Sequence, residues 1–425
     1  MKHKKIVGVS WLDPPKGKTK SLIDALIEQK KWGKNEGGDE IIALVDLLSH
    51  LEQNPFLNSF VMHNSSIWPL AREFAQAFFP HPPEKSALLE YLVTKYQWDE
   101  LPIYTIGFSN ATNALTACLK AHGVEGGEVI TTSYNYAAAP NAIVSAGAKP
   151  RFADIDRETF CIDLKSVLKA VNKNTRAVLV THVNQNVDLL PLIKGLEKKG
   201  KEIAIFQDGT AAIGSVSGGL GVGQINPPPH GATVFSLGPT KVISGLGGAL
   251  LVAHDYEFLR KVEAISFSGL NPSNDEEIIA FGNNYKMNEL SAVIAREQLK
   301  KCDSFIAKRK KLRKMYNAAL APLVKKGLLS LQKLPEESLV TFYMVKLNES
   351  YHRVLPELAK RFQVGCSHWY SYHLEPLYRL KFGLQSLPVT EALADKIIFL
   401  PFHVALEKED VNSIVKSLET VLSQT

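Results

Sequence analysis

The sequence has little cysteine, no long apolar run and no strong excess of one charge. Its four cysteines, Cys118, Cys161, Cys302 and Cys366, contain no C-x-x-C pair. That spacing argues against a zinc site or a disulfide framework and suits a reducing cytosol, so a cytoplasmic location is expected. No stretch approaches the ~18 apolar residues of a membrane span, so no membrane partner is expected. Lys2, His3, Lys4 and Lys5 precede only the short apolar stretch Ile6–Leu12, which stops at Asp13-Pro14-Pro15. That is too short for a signal peptide.

Charge is nearly balanced, with 49 basic and 43 acidic residues and a net +6. The densest basic run, Lys308 to Lys314, has no aromatic residue interleaved. It reads as a solvated helix face, and nucleic acid is not expected as a partner. The 12 histidines form neither H-x-x-x-H nor H-E-x-x-H, so no metal is expected. There is no internal repeat and no low-complexity tract. Hydrophobic residues at 45% and charged residues at 22% exclude a disordered or fibrous chain. A length of 425 residues predicts two or three domains.

What the chain does have is alternation. Short β-rich runs lie at Ile103–Phe108, Glu128–Ser133, Lys149–Ile155, Arg176–His182, Glu202–Gln207, Ala232–Leu237 and Gly248–Ala253. Helical patterns fall between them at Asn113–Ala121, Ala138–Ala146, Leu164–Val171 and Leu189–Lys198. This predicts an α/β fold with a mainly parallel seven-stranded sheet covered on both faces. Reactive residues should then follow the carboxyl ends of strands. Near-continuous helix from Glu289 to Ala321 leads into a smaller C-terminal α/β unit. Strands are expected there near Leu339–Leu347 and Gly365–Trp369, and helices at Val354–Arg361 and Lys408–Val421. Before residue 101 the patterns are helical, at Thr19–Gln29, Asp39–Leu51, Ala71–Phe79 and Glu84–Tyr96. The expected units are a helical segment 1–100, a large domain 101–295 and a small domain 296–425.

Three features carry chemistry. Asp208 follows the run Ile203–Gln207. Lys241 follows the run Ala232–Ser236, and Gly245-Leu246-Gly247-Gly248 comes next. Ser109-Asn110-Ala111-Thr112-Asn113 leads from a strand into a helix, whose free N–H groups and dipole can receive an anion. Singly, each has a plainer reading: a surface lysine, a turn aspartate, an N-cap. Together they are the parts of a pyridoxal phosphate site: a lysine for the Schiff base, a carboxylate for the pyridine nitrogen, and a phosphate cradle. Asp154 and Asp156 read as turn and cap residues. Trp32-Gly33 reads as a core anchor or an active-site edge.

Several longer stretches resemble the DegT/DnrJ/StrS family of nucleotide-sugar aminotransferases. They are Ser109–Leu115, EVITTSYNYAAAPNA from Glu128, KPRFADIDRETFCID from Lys149, IFQDGTAA from Ile205, FSLGPTK from Phe235, GNNYKMNEL from Gly282, HLEPLYR from His373 and LPVTEALADKIIFLPFH from Leu387. The resemblance implies fold type I and a pyridoxal 5'-phosphate cofactor. It implies that Lys241 is the Schiff-base lysine and Asp208 the pyridine-nitrogen carboxylate. Ala111, Thr112, Asn113 and Ser236 then hold the phosphate, and Tyr136 stacks on the ring. Asn284 reaches the cofactor phosphate of a neighbouring subunit in a homodimer. His182, Lys286, His368 and His373 are candidates for substrate contact. The implied reaction moves an amino group from an amino acid, glutamate by resemblance, to a nucleotide-linked keto-sugar.

The departures are specific. Ala111 replaces a glycine of the phosphate turn and Asn110 a serine. Thr210-Ala211 stands where the family has Ala followed by Gln, His or Glu. Thr181–Asn186 lacks the glycine of H-x-x-G-Q. Lys286 replaces an arginine and loses its bidentate fork. Residues 53–103 exceed the usual linker. These changes leave open an aldol-type or elimination reaction on the same cofactor, or a non-catalytic relative that kept the fold.

Overall fold

The expected strands pair into one sheet. The computed structural model describes residues 67–78, 87–96, 103–217, 219–272 and 277–424. Thr19–Gln29, Asp39–Leu51 and Trp32-Gly33 lie outside the described residues.

Among the described residues ten strands precede the long helices: β1 (Tyr104–Phe108), β2 (Glu128–Thr132), β3 (Tyr134–Asn135), β4 (Lys149–Ala153), β5 (Thr175–Val183), β6 (Ala204–Ala211), β7 (Val216–Ser217), β8 (Leu220–Gly221), β9 (Ala232–Ser236) and β10 (Ala249–Ala253). The central sheet runs β1-β10-β9-β6-β5-β2-β4. β10 is antiparallel to both neighbours and the other pairings are parallel. Sequence composition explains the burial: β10 reads ALLVA and every residue is enclosed. Leu251 faces one layer, with Phe206, Val234 and helix Ala111–His122. Leu250 and Val252 face the other, with helices Ile67–Phe78 and Glu289–Lys300. The period of two thus feeds two separate cores.

Local signals set the helices. Helix Ala111–His122 begins at Asn110, whose side chain accepts from the Asn113 N–H at 2.9 Å, and ends at Gly123 in left-handed backbone (φ 78°). Helix Ile67–Phe78 buries Leu70 and Phe74 completely, worth about 2 kcal/mol each. Glu73 takes a two-pronged bond from Arg296, tying that helix to Glu289–Lys300.

The C-terminal half has its own sheet, β11 (Leu329–Leu331), β12 (Tyr343–Leu347) and β14 (Ile397–Leu400), all antiparallel, in the order β11-β12-β14. Helices Cys302–Lys325, Tyr351–Phe362 and Lys408–Leu422 pack on it around Tyr316, Val345 and Leu418. The strand expected over Leu339–Leu347 starts only at Tyr343. The preceding backbone is spent elsewhere: Leu339 bonds Ser215, and Thr341 and Phe342 bond Asn184. The strand expected at Gly365–Trp369 is reduced to a bridge from Ser367 to Phe399. The ladder forms one step later, as β13 (Tyr370–Ser371), antiparallel to β3.

Asp154 ties the central sheet to helix Pro388–Leu393 of the C-terminal half. Its Oδ1 accepts from the Thr390 N–H and hydroxyl, both at 2.6 Å, and its Oδ2 accepts from the Val389 N–H at 3.0 Å. One bond is the local turn contact, from the Ile155 N–H at 3.0 Å, but the others reach a helix 235 positions away in sequence. Asp154→Ala strands these enclosed donors. We expect it to cost about 3 kcal/mol, read as a lowered urea midpoint; an unchanged midpoint would refute the assignment.

Candidate active site

One edge of the central sheet collects the chemistry-bearing residues. The carboxyl ends of β1, β9, β6, β5 and β2 all point there, because those strands run parallel.

Asp208 lies inside β6, not after it, since β6 continues through Thr210 and Ala211 beside Val183. It is 3% exposed, and its Oδ1 accepts from the Thr210 N–H at 3.1 Å. Burial pushes its carboxyl up, opposed by the Thr210 bonds and by the charge of Lys241. Lys241 sits in the loop after β9, in a turn closed by its own N–H to the Gly238 carbonyl at 3.1 Å. Burial pushes its amine down, opposed by Asp208. The ammonium stands 5.2 Å from the centroid of the Phe342 ring. The two groups form an opposed, desolvated pair with mutually compensating charge.

The helix turn lies two strands away. Phe108 pairs with Ala249, and Ala249 with Ser236, so Ser109 and Ser236 flank the start of β10. Asn113 Nδ2 donates to Ser109 Oγ at 2.9 Å, and the Ser236 hydroxyl accepts from the Gly238 N–H at 3.2 Å. The glycine-rich stretch has a structural use. A Cβ on Gly245 would come within 2.5 Å of the Ser291 carbonyl, and Gly248 turns in left-handed backbone (φ 89°) against Met287. Those glycines let the lysine loop lie flat on helix Glu289–Lys300.

Tyr136 follows β3 and is 67% exposed at this edge. The segment carrying Asn284 and Lys286 runs beside the end of β1: the Ser109 N–H donates to the Tyr285 carbonyl at 2.7 Å. Asn284 is exposed. Lys286 is held 3.9 Å from the centroid of the Phe267 ring, and burial lowers its amine.

The three histidines differ. His182 is a correction. Thr181 pairs with Asp208, so strand alternation turns His182 to the opposite face, beside Gln207. Its Nδ1 accepts from the Val187 N–H at 3.0 Å, which makes Nε2 the donor to Gln207 Oε1, also at 3.0 Å. With no exposed surface, His182 is a scaffold residue. The residue on the Asp208 face is Thr181, whose hydroxyl accepts from Asn135 Nδ2 at 2.8 Å. Register, invisible in one sequence, was the missing signal. His373 is also spent on structure: the Ser133 hydroxyl accepts from its N–H and meets its Nδ1 at 2.6 Å. Its Nε2 faces Glu391 at 3.5 Å. His368 stacks on Tyr351 with centroids 4.2 Å apart.

Asn184 answers for the missing glycine. It is the left-handed residue of Thr181–Asn186 (φ 59°), a conformation asparagine tolerates. Ala211 is 2% exposed and belongs to a buried apolar cluster with Tyr134, Val183, Trp369 and Phe399. Among the described residues no three His, Cys, Asp or Glu side chains converge to hold a metal. No helix among them is long and apolar enough to cross a membrane.

His182 makes a pH prediction. Burial lowers its pKa from 6.5 to about 4. Between those values the unfolded chain binds the extra proton and the fold does not. Stability is therefore complete above pH 6.5 and falls as pH drops toward 4, by up to roughly 3 kcal/mol. Urea midpoints at pH 7.5 and 5 should diverge less in His182→Gln than in wild type; equal divergence would sink the assignment.

Comparison with known proteins agrees with this architecture. The model of the DegT/DnrJ/EryC1/StrS aminotransferase family matches residues 93–419. An uncharacterized protein of Methanocaldococcus jannaschii, MJ1066, is 27% identical over 343 residues, covering 76% of this chain and 86% of that protein. NtdA of Bacillus subtilis, crystallised with the cofactor PMP, superposes with a TM-score of 0.68 at 24% identity, covering 84% of this chain and 82% of that one. DesI, crystallised with its TDP-sugar product, gives a TM-score of 0.68 at 25% identity, covering 84% and 85%. The chain therefore belongs to the DegT/DnrJ/EryC1/StrS aminotransferase family, and it is a pyridoxal-phosphate-dependent aminotransferase of fold type I.

Proposed function

We propose that the protein moves an amino group from an amino acid, glutamate being the expected donor, to a keto-sugar carried on a nucleotide. The observation that carries this reading is the desolvated Asp208–Lys241 pair at the same sheet edge as the Ser109–Asn113 helix turn. The TDP-sugar in the DesI structure supports a nucleotide-linked acceptor.

The donor set suits pyridoxal phosphate. Asp208 is an enclosed carboxylate whose charge a protonated pyridine nitrogen would balance. Lys241 would carry the cofactor covalently. Ala111, Thr112 and Asn113 at the helix start would hold the phosphate with Ser236, and Tyr136 would stack on the ring. When bound, the cofactor supplies an electron-accepting ring. The chain's own residues do the rest. Burial lowers the Lys241 amine, which favours the neutral Nζ that can take a proton from the donor carbon and return it.

In this reading residues 101–295 form the cofactor-binding domain and 296–425 the small domain. Exposed Asn284 serves the site of a second copy, which makes the working unit a homodimer. The cysteine spacing supports a cytoplasmic location.

Wild type should show a visible absorption band that borohydride removes, and glutamate should convert the bound cofactor to its pyridoxamine form. Lys241→Ala should lack the band. Asp208→Asn should keep a bound cofactor and slow conversion roughly a hundredfold or more. If no amino acid converts the cofactor, the aminotransfer reading fails.

A further inference from the structure

The cleft beside Lys241 contains a second cation that the chemistry above leaves unused. The cleft has a volume of about 790 Å3 and lies between the lysine loop and Phe399–Val404 of the C-terminal half. Arg309, on helix Cys302–Lys325, lines it and is only 6% exposed. Its Nη1 donates to the Val340 carbonyl at 3.2 Å and the Thr341 carbonyl at 3.3 Å. Its Nε has no partner, and neither has the enclosed hydroxyl of Thr341, which also lines the cleft.

The charge is poorly compensated. Burial alone accounts for the lowering of the Arg309 pKa to about 10, with no opposing carboxylate, and the group stays charged at neutral pH. The Phe402 ring, with its centroid 5.5 Å away, is the backing it has. No Asp or Glu is among the described residues that line the cleft, whereas Lys241 and His403 are. A buried cation without a counter-ion is costly unless something anionic joins it. Two carbonyls hold one edge of the guanidinium. Nε and Nη2 form the remaining edge, and that planar fork matches an oxyanion.

We propose that Arg309, with the Thr341 hydroxyl beside it, is an oxyanion subsite of the Lys241 cleft and receives a carboxylate or phosphate of a substrate. This deepens the aminotransfer reading and rests on it. Two substrates can supply the anion: the amino donor through its carboxylate, and the nucleotide-sugar through its phosphate.

Calorimetric titration of the holoenzyme separates them. The probes are glutarate, an unreactive dicarboxylate, and inorganic pyrophosphate, each against wild type, Arg309→Lys and Arg309→Met. We expect Arg309→Met to weaken one probe at least tenfold, and Arg309→Lys to fall between, since lysine keeps charge without the fork. Weakened glutarate assigns the subsite to the amino donor. Weakened pyrophosphate assigns it to the nucleotide-sugar. Equal binding by wild type and both variants overturns the subsite, and so does a wild type that binds neither probe. Because Arg309 also bonds two carbonyls, melting temperatures accompany each titration, and Arg309→Lys decides the matter if Arg309→Met does not fold. The borohydride-sensitive band is recorded on the same samples. Its absence from wild type would overturn the lysine chemistry while the anion titrations still report on Arg309.

Discussion

The Asn184 side chain joins the catalytic edge of the sheet to the C-terminal half. A parallel sheet ends in unpaired backbone at its carboxyl edge, and those groups need partners once they are enclosed. Asn184 Oδ1 accepts from the Thr341 N–H at 2.8 Å and the Phe342 N–H at 3.2 Å. Its Nδ2 donates to the Phe342 carbonyl and to Gln332. Its own N–H reaches the Ala211 carbonyl at 2.9 Å. The left-handed backbone turns the chain so that one amide serves both halves. Phe342, held this way, is the ring that Lys241 faces. Removing the amide would loosen the fold and the lysine's surroundings together.

Around that junction the electrostatics are deliberately unfinished. Asp208 and Lys241 are each pushed toward neutrality by burial and pulled back by the other. Arg309 adds a positive charge to the lining of the same cleft, which contains no acidic residue among those described. Such a site is poised for an anionic ligand with a cationic ring nitrogen, since each would relieve one buried charge.

The sheet and its order of motifs were legible because they rest on local signals. β-branched and aliphatic runs mark strands wherever both faces are covered, as in β5, β9 and β10. Asn110 caps the start of helix Ala111–His122, where the sequence offered an N-cap, and Gly123 ends it. The misplacements came where backbone pairs at long range. Leu339–Phe342 looks like strand and is apolar like strand, yet its amides belong to Asn184 and Ser215. His182 was an attractive candidate, but a register set by β6 turned it away and put Thr181 forward.

Sequence alone determined the fold class, the family and the order of Asp208 and Lys241 along the chain. Those follow from composition, period and short motifs, which each residue carries with it. Tertiary structure decided which side chains share a face and which charges go uncompensated. Whether a histidine meets substrate or scaffold depends on strand register. Whether an arginine in a basic helix is solvated or enclosed depends on what packs over it. Lys308, Arg309 and Lys310 read alike in one dimension, but only Arg309 is enclosed, with Phe402 beside it and the cleft along its side.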